Sequence, residues 1–213
     1  MSPRTYRMET REAAAAQTRD RILSAARDLL MSEAFSEFTM DAVARKADVS
    51  RLTVYYQFES KVGLLEAIYD YIAKRGHLER LPEIFRLGND PLRTLNDFMR
   101  VFAEFWASDR NVIRRLHALA AIDAEIANGL HARNERRRNG LRVIIERYGR
   151  SYPSLTALQE PVAIDTLHML TSFETFDALA GSGRPFEEVV EIIRKMAHHA
   201  IGFAPAFVPP SRR

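Results

Sequence analysis

Residues 39–61 read TMDAVARKADVSRLTVYYQFESK. Thr39 is placed to cap a helix, because its hydroxyl can accept from a free backbone N–H of the first turn. Asp41 follows in that turn, where the helix dipole favours an acid. Met40, Val43 and Ala44 recur three and four apart and make one apolar face. Lys46 is basic in the last turn, and Asp48 tolerates the left-handed backbone that ends a helix. Ser50 caps a second short helix, from about Arg51 to Tyr56, with Val54 and Phe58 as core contacts. Ser60 caps a third. Two helices at a steep angle across a short turn make a helix-turn-helix, whose second helix can enter a DNA major groove.

The outer face of that second helix carries Arg51, Leu52, Thr53, Tyr55, Tyr56 and Gln57. Arg pairs bidentately with guanine, Gln with adenine, and Thr or Leu touches a thymine methyl. Tyrosine hydroxyls and free amides at a helix start suit phosphates. From spacing alone, a plain three-helix core with a polar surface competes with this reading. Two adjacent tyrosines on so short a helix count against it, since one must face solvent.

The longer run FTMDAVARKADVSRLTVYYQFESKVGLLEAI, Phe38 to Ile68, resembles the DNA-binding domain of the TetR family of transcriptional regulators. The family's elements stand in order: a Thr-led helix, Val-Ser, a Thr-aliphatic-Tyr core, an aromatic, Phe and a Ser-Lys pair. The resemblance implies that Arg51, Thr53, Tyr55 and Gln57 read or flank bases. It implies that Thr39, Ser50, Tyr56 and Lys61 contact phosphates. Three positions depart from the pattern. Asp48 stands where Gly is usual, Leu52 where Gly, Lys or Pro is frequent, and Val62 where Glu is usual. Leu52 bears on the target sequence and makes it hard to transfer from any relative.

Upstream, residues 1–10 show no helical periodicity and are expected to form a flexible arm. Arg4, Arg7 and Arg11 could reach a minor groove from it, or contact nothing. From Arg11 to Met31 a helix is expected, with Ile22, Ala25, Ala26, Leu29 and Leu30 as its apolar stripe. Gln17 and Arg19 near its start are read as ordinary surface that could approach a phosphate. Downstream, Leu64, Leu65, Ile68, Tyr69 and Ile72 mark a helix to about His77, and residues 80–90 a loop or short helix.

The remainder is expected to be all-α as well. Pro91 opens a helix to Ser108 that bears Leu95, Phe98, Phe102, Phe105 and Trp106 along one side. An aromatic row at this spacing packs a core or walls a ligand pocket. Arg110–Ala121 follows, with His117 among apolar residues as a core histidine or a pocket group. A long helix from Ile122 to Tyr148 carries the basic run Arg133, Arg136, Arg137, Arg138 and Arg142, read as a solvated face. Two last helices are expected, over 159–179 and 185–204. The first has two apolar stripes, one of Val162, Thr166, Met169, Phe173 and Phe176, the other of Ala163, Leu167 and Leu170. The candidate ligand-binding set is Phe98, Phe102, Phe105, Trp106, His117, Met169, Phe173 and Phe176. The family resemblance implies that the last two helices pair with a second copy as a homodimer.

Composition sets the outer bounds. The chain has 213 residues, 46% hydrophobic, no cysteine and a net charge of +3. Residues 1–61 hold ten Lys and Arg against nine Asp and Glu, so placement and not bulk charge argues for DNA. No signal-peptide core or membrane-spanning run is present, and a cytoplasmic location without membrane association is expected. There is no Gly-rich phosphate loop, HExxH, GxSxG or Cys-based metal site. His198 and His199 are neighbours and point apart on a helix, so neither metal nor cofactor is expected. The expected organisation is an arm (1–10), a helix-turn-helix DNA-binding domain (11–77) and a ligand-binding and dimerisation domain (78–213). The expected function is a regulator, most simply a repressor, that leaves a pseudo-palindromic double-stranded operator when a partly apolar small-molecule effector binds. A ligand-binding helical module without specific DNA binding is the alternative, and a helical enzyme the third.

Overall fold

The computed structural model of the chain describes residues 3–32, 38–153, 160–181 and 183–203, with the side chains of residues 3–11 outside that description. Among the described residues there is no strand. The helices are α1 (Pro3–Met31), α2 (Met40–Ala47), α3 (Arg51–Phe58), α4 (Lys61–Arg75), α5 (Leu81–Leu87), α6 (Pro91–Ser108), α7 (Arg110–Ala120), α8 (Ala124–Ser151), α9 (Glu160–Leu170), α10 (Phe173–Ala180) and α11 (Phe186–Ala200). A single 3-10 turn at Leu78–Arg80 precedes α5. Among the described residues no helix is long and apolar enough to cross a membrane.

The chain divides into two compact units. The first comprises residues 1–72 and 109–130, the second residues 73–108 and 131–213. This differs from a single cut after residue 77. Residues 109–130, expected with the second domain, pack with the helix-turn-helix, because α7 lies against α1.

In the first unit α1 packs on α2 and α7, and α2 packs on α3. Ile22, Ala26 and Leu30 of α1, Val43 of α2, Val54 of α3, Leu64 and Ile68 of α4, and Val112 and Ile113 of α7 are buried. A part-buried ion pair joins α1 to the start of α7. Arg27 Nε donates to Asp109 Oδ1 at 2.7 Å, and Nη2 bonds the same oxygen. Arg115 Nη1 adds bonds to the carbonyls of Leu30 and Ser32, which end α1. The helix itself begins at Pro3, inside the stretch expected to be a flexible arm. Proline suits a first helical turn, and the residues from Arg4 through the alanines at 13–16 contain no breaker. The minor-groove role of Arg4, Arg7 and Arg11 concerns side chains outside the described residues.

In the second unit α6 is flanked by α5, α10 and α11. It buries Leu95, Phe98, Met99, Val101, Phe102, Phe105 and Trp106, an arc too wide for a surface helix. Gly140 lets α8 approach closely, since a Cβ there would stand 3.0 Å from the Phe98 ring. The helix expected over 159–179 is two helices. Ser172 is extended (φ −73°, ψ 159°), and its Oγ accepts from Thr175 N at 3.2 Å, capping α10. The break is held from outside: Trp106 Nε1 donates to the Thr171 carbonyl at 3.0 Å, and Arg137 Nη1 donates to Thr171 Oγ1 at 2.7 Å. Arg137, read from sequence as part of a solvated face, is therefore buried, with its guanidinium over the Phe102 ring. The break also turns Phe173 and Phe176 inward while Val162 and Met169 of the same sequence stripe stay exposed. The last helix ends at Ala200, and the proline-bearing tail 204–213 lies outside the described residues.

Candidate nucleic-acid interface

Local chemistry builds the turn. Thr39 is extended (φ −132°, ψ 159°), and its Oγ1 accepts from Ala42 N at 3.1 Å, starting α2. α2 buries Met40, Val43, Ala44 and Ala47. It ends at Asp48, which adopts the left-handed conformation (φ 52°, ψ 53°). The Val49 N–H then returns to the Ala44 carbonyl at 3.1 Å, closing the helix end. Asp48 thus does the work of a glycine, as its short polar side chain permits. Ser50 restarts the chain: its Oγ accepts from Thr53 N at 3.0 Å and caps α3. Gly63 N donates to Ser60 Oγ at 3.0 Å at the start of α4.

α3 has eight residues and buries only Val54 and Phe58. Its other side is open: Leu52 is 78% exposed and Tyr56 85%. Arg51 is exposed and held in place by two neighbours. Its Nη1 lies 3.2 Å from Asp41 Oδ2, and its Nη2 3.4 Å from the Tyr55 hydroxyl, with the guanidinium 5.3 Å from the Tyr55 ring centre. The Tyr55 hydroxyl first, and then the Asp41 charge, raise its already high pKa, so it stays a cation. Thr39, Ser50 and Lys61 are exposed around the same helix-turn-helix, while Thr53, Tyr55 and Gln57 are half-buried. The Lys61 ammonium lies 5.7 Å from the Phe38 ring centre. All nine residues expected at DNA therefore sit on this one element pair and its borders. An array of one arginine, one lysine, hydroxyls and an exposed leucine suits a duplex: charge for phosphate, donors and apolar contact for base edges.

Arg19, read from sequence as ordinary surface that could approach a phosphate, instead contacts α3. It is half-buried, donates from Nη1 to the Gln57 carbonyl at 2.8 Å, and stacks 4.3 Å above the Phe58 ring. Its spacing held the signal, for Arg19, Ile22 and Ala26 fall three and seven apart, on the helix's inner face.

The expected ligand residues divide. Phe98, Phe102, Phe105, Trp106 and Phe173 form one buried aromatic row, with ring centres 4.8 Å apart for Phe98–Phe102, 5.9 Å for Phe102–Trp106 and 5.6 Å for Trp106–Phe173. Phe176 is buried near Phe186. Met169 does not share this burial and is 56% exposed. His117 belongs to α7 and hence to the first unit, not to the unit of the aromatics. A pocket of about 520 Å³ lies elsewhere in the second unit. Arg80, Glu83, Ile84, Leu87, Asp90 and Arg93 are among its lining, and none of the expected ligand residues is. Among the described residues no His, Cys, Asp and Glu cluster could hold a metal ion.

These features define a helix-turn-helix protein with a second, separate helical unit. Residues 22–68 match the family described as bacterial regulatory proteins, tetR family. The match is to the family's DNA-binding region and spans residues 22–68 of this chain. The chain is 40% identical over 65 residues to the HTH-type transcriptional regulator SrpR of Pseudomonas putida, a match covering 30% of this chain and 29% of that protein. It is 35% identical over 116 residues to the HTH-type transcriptional regulator AlkX of Mycobacterium tuberculosis, covering 53% of each. The chain spans between 29% and 53% of the length of the curated relatives it matches. The fold extends further. A TetR transcription regulator from Haloarcula marismortui superposes with a TM-score of 0.69 over 87% of this chain and 97% of that one, at 17% identity.

Proposed function

We propose that the chain is a homodimeric, effector-responsive regulator of transcription that acts in the cytoplasm, binds a pseudo-palindromic operator and represses from it. The observation that carries this reading is α3: a short helix capped at Ser50, anchored by Val54 and Phe58, that turns Arg51, Leu52 and Tyr56 to solvent. Residues 11–77 serve DNA binding, and residues 78–213 serve effector binding and dimerisation. In a dimer, two such helices about 34–36 Å apart meet successive major grooves on one side of the duplex. The exposed Val162 and Met169 of α9 and Met196 of α11 supply apolar surface for the second copy. The effector is partly apolar and takes the second unit's aromatic row, Phe98, Phe102, Trp106 and Phe173, as its wall. Its binding releases DNA by its differential affinity for the conformation that does not fit the operator.

Selection of duplexes from a random pool by the purified chain, at near-physiological salt, tests this. Enrichment of a pseudo-palindrome, with a dimer mass in solution, is the expected result. Enrichment of no sequence would overturn the operator reading.

A further inference from the structure

We propose that Arg19 is the positioning residue of the recognition helix: from α1 it grips the C-terminal end of α3 and sets the angle at which Arg51, Thr53 and Tyr56 meet DNA. The proposal rests on the reading of α3 as the DNA-reading element.

An eight-residue helix does not persist in water by itself, so its orientation must come from what it is tied to. α3 has two buried anchors, Val54 and Phe58, which resist lifting but define a hinge line more than an angle. Its last carbonyls lack intrahelical donors, and the negative end of its dipole gathers there. No basic residue of its own stands in the last turn. Arg19 supplies both needs from α1. Its Nη1 reaches the Gln57 carbonyl at 2.8 Å, and the face of its guanidinium lies 4.3 Å over Phe58. A planar cation can stack and donate in its own plane at once, which a lysine cannot.

The far side of the same helix end is pinned as well. The chain leaves α3 at Glu59 with φ 62° and ψ −44°, and Ser60 N donates to the Phe58 carbonyl at 2.6 Å. Gly63 then passes beneath that carbonyl, where a Cβ would stand 2.3 Å from the oxygen. The C-terminal end of α3 is thus held between Arg19 and the first turn of α4. At about 1.5 Å rise per residue, α3 is a lever of ~12 Å. A tilt of a few degrees at the held end moves a base-facing side chain by about 1 Å, and the narrow distance range of hydrogen bonds does not absorb that.

The competing role for Arg19 is a direct phosphate contact, and the two roles separate experimentally. The duplex enriched by the wild-type chain and a random-sequence duplex of equal length are titrated with wild type, Arg19→Ala and Arg19→Lys at several salt concentrations. Titrations are run at a temperature where circular dichroism shows each variant fully helical. Positioning predicts that Arg19→Ala lowers affinity for the enriched duplex by ~10-fold, with random-sequence affinity and its salt slope unchanged. Arg19→Lys, which keeps a donor and a charge, restores part of that loss. Equal losses on both duplexes with the salt slope lowered by about one would make Arg19 a phosphate contact and overturn the proposal. An unchanged ratio between the two duplexes would also overturn it. Should Arg19→Ala fail to fold, Arg19→Gln, which keeps an amide donor, is judged by the same ratio and slope. A wild-type chain that enriches no duplex removes the DNA reading and this proposal together. Wild-type enrichment with unaffected variants removes only this proposal.

Discussion

The Asp41 carboxylate and the Arg51 guanidinium meet across the helix-turn-helix, Oδ2 to Nη1 at 3.2 Å. Both side chains are about half exposed or more, so the pair adds little to stability. Its consequence lies in the proposed interface: the arginine proposed to read a base is held by a carboxylate that a phosphate backbone repels.

Asp41→Asn is therefore expected to strengthen binding to DNA of any sequence, by roughly two- to fivefold, with little change in Tm. Arg51→Ala is expected to relax preference at one base pair by roughly tenfold or more while other positions keep theirs. Titration of a panel of single-base operator variants checks both. Weaker binding by Asp41→Asn would show that the carboxylate orients Arg51 more than it restrains it.

Lys61 is exposed at the first residue of α4, with its ammonium 5.7 Å from the Phe38 ring centre. Lys61→Ala is expected to weaken every sequence alike and to lower the salt slope by about one. A sequence-dependent loss would place Lys61 at a base.

Asp109 is almost fully buried beside Arg27, so its removal leaves a guanidinium partly buried without that carboxylate. Asp109→Ala is expected to cost about 3–5 kcal/mol of stability, read as a lower urea midpoint. A loss below about 1 kcal/mol would mean that water replaces the carboxylate freely.

Two histidines are expected to make the second unit acid-sensitive. His168 has its pKa lowered by burial first and then by the Arg137 charge, and His198 by burial first and then by Arg194. His198 Nε2 lies 2.7 Å from Asn96 Oδ1, and its Nδ1 lies 3.4 Å from Arg194 Nη1. Nε2 thus carries the proton, and a second proton would face a guanidinium. A folded pKa below the unfolded value of about 6.5 means that the unfolded chain takes up protons first as pH falls. Stability is then complete above about pH 6.5 and is lost as pH falls toward and through the depressed folded values. His198→Gln is expected to flatten urea-midpoint curves over that range. Glu191, lowered to about 2 by its bond from Arg194, contributes stability that is present above the usual carboxylate range and is lost as pH falls from that range through about 2.

The helix-turn-helix was legible because its signals are local. Thr39, Ser50 and Ser60 each cap through a hydroxyl that reaches an amide three residues on. Asp48 ends α2 through its own backbone preference. Such interactions need no distant partner, so residue order alone determined the two short helices, their turn and the outward face of α3. Helix α6 was legible in the same way, from Pro91 to Ser108.

What distant groups decide was not legible. The break between α9 and α10 depends on Trp106 and Arg137 reaching Thr171 from other helices, and it sends Phe173 and Phe176 into the core. The union of α7 with α1 depends on Asp109 finding Arg27, 82 positions away. The grip of Arg19 on Gln57 spans 38. In each case a buried polar group must find a donor or acceptor, and an uncompensated one costs more than a local preference supplies. Residue order determined most of the helical segments, though not the start of α1 at Pro3, and which face of α3 is free. Tertiary structure decided where α9 breaks, which arginines are buried, and what grips the C-terminal end of α3.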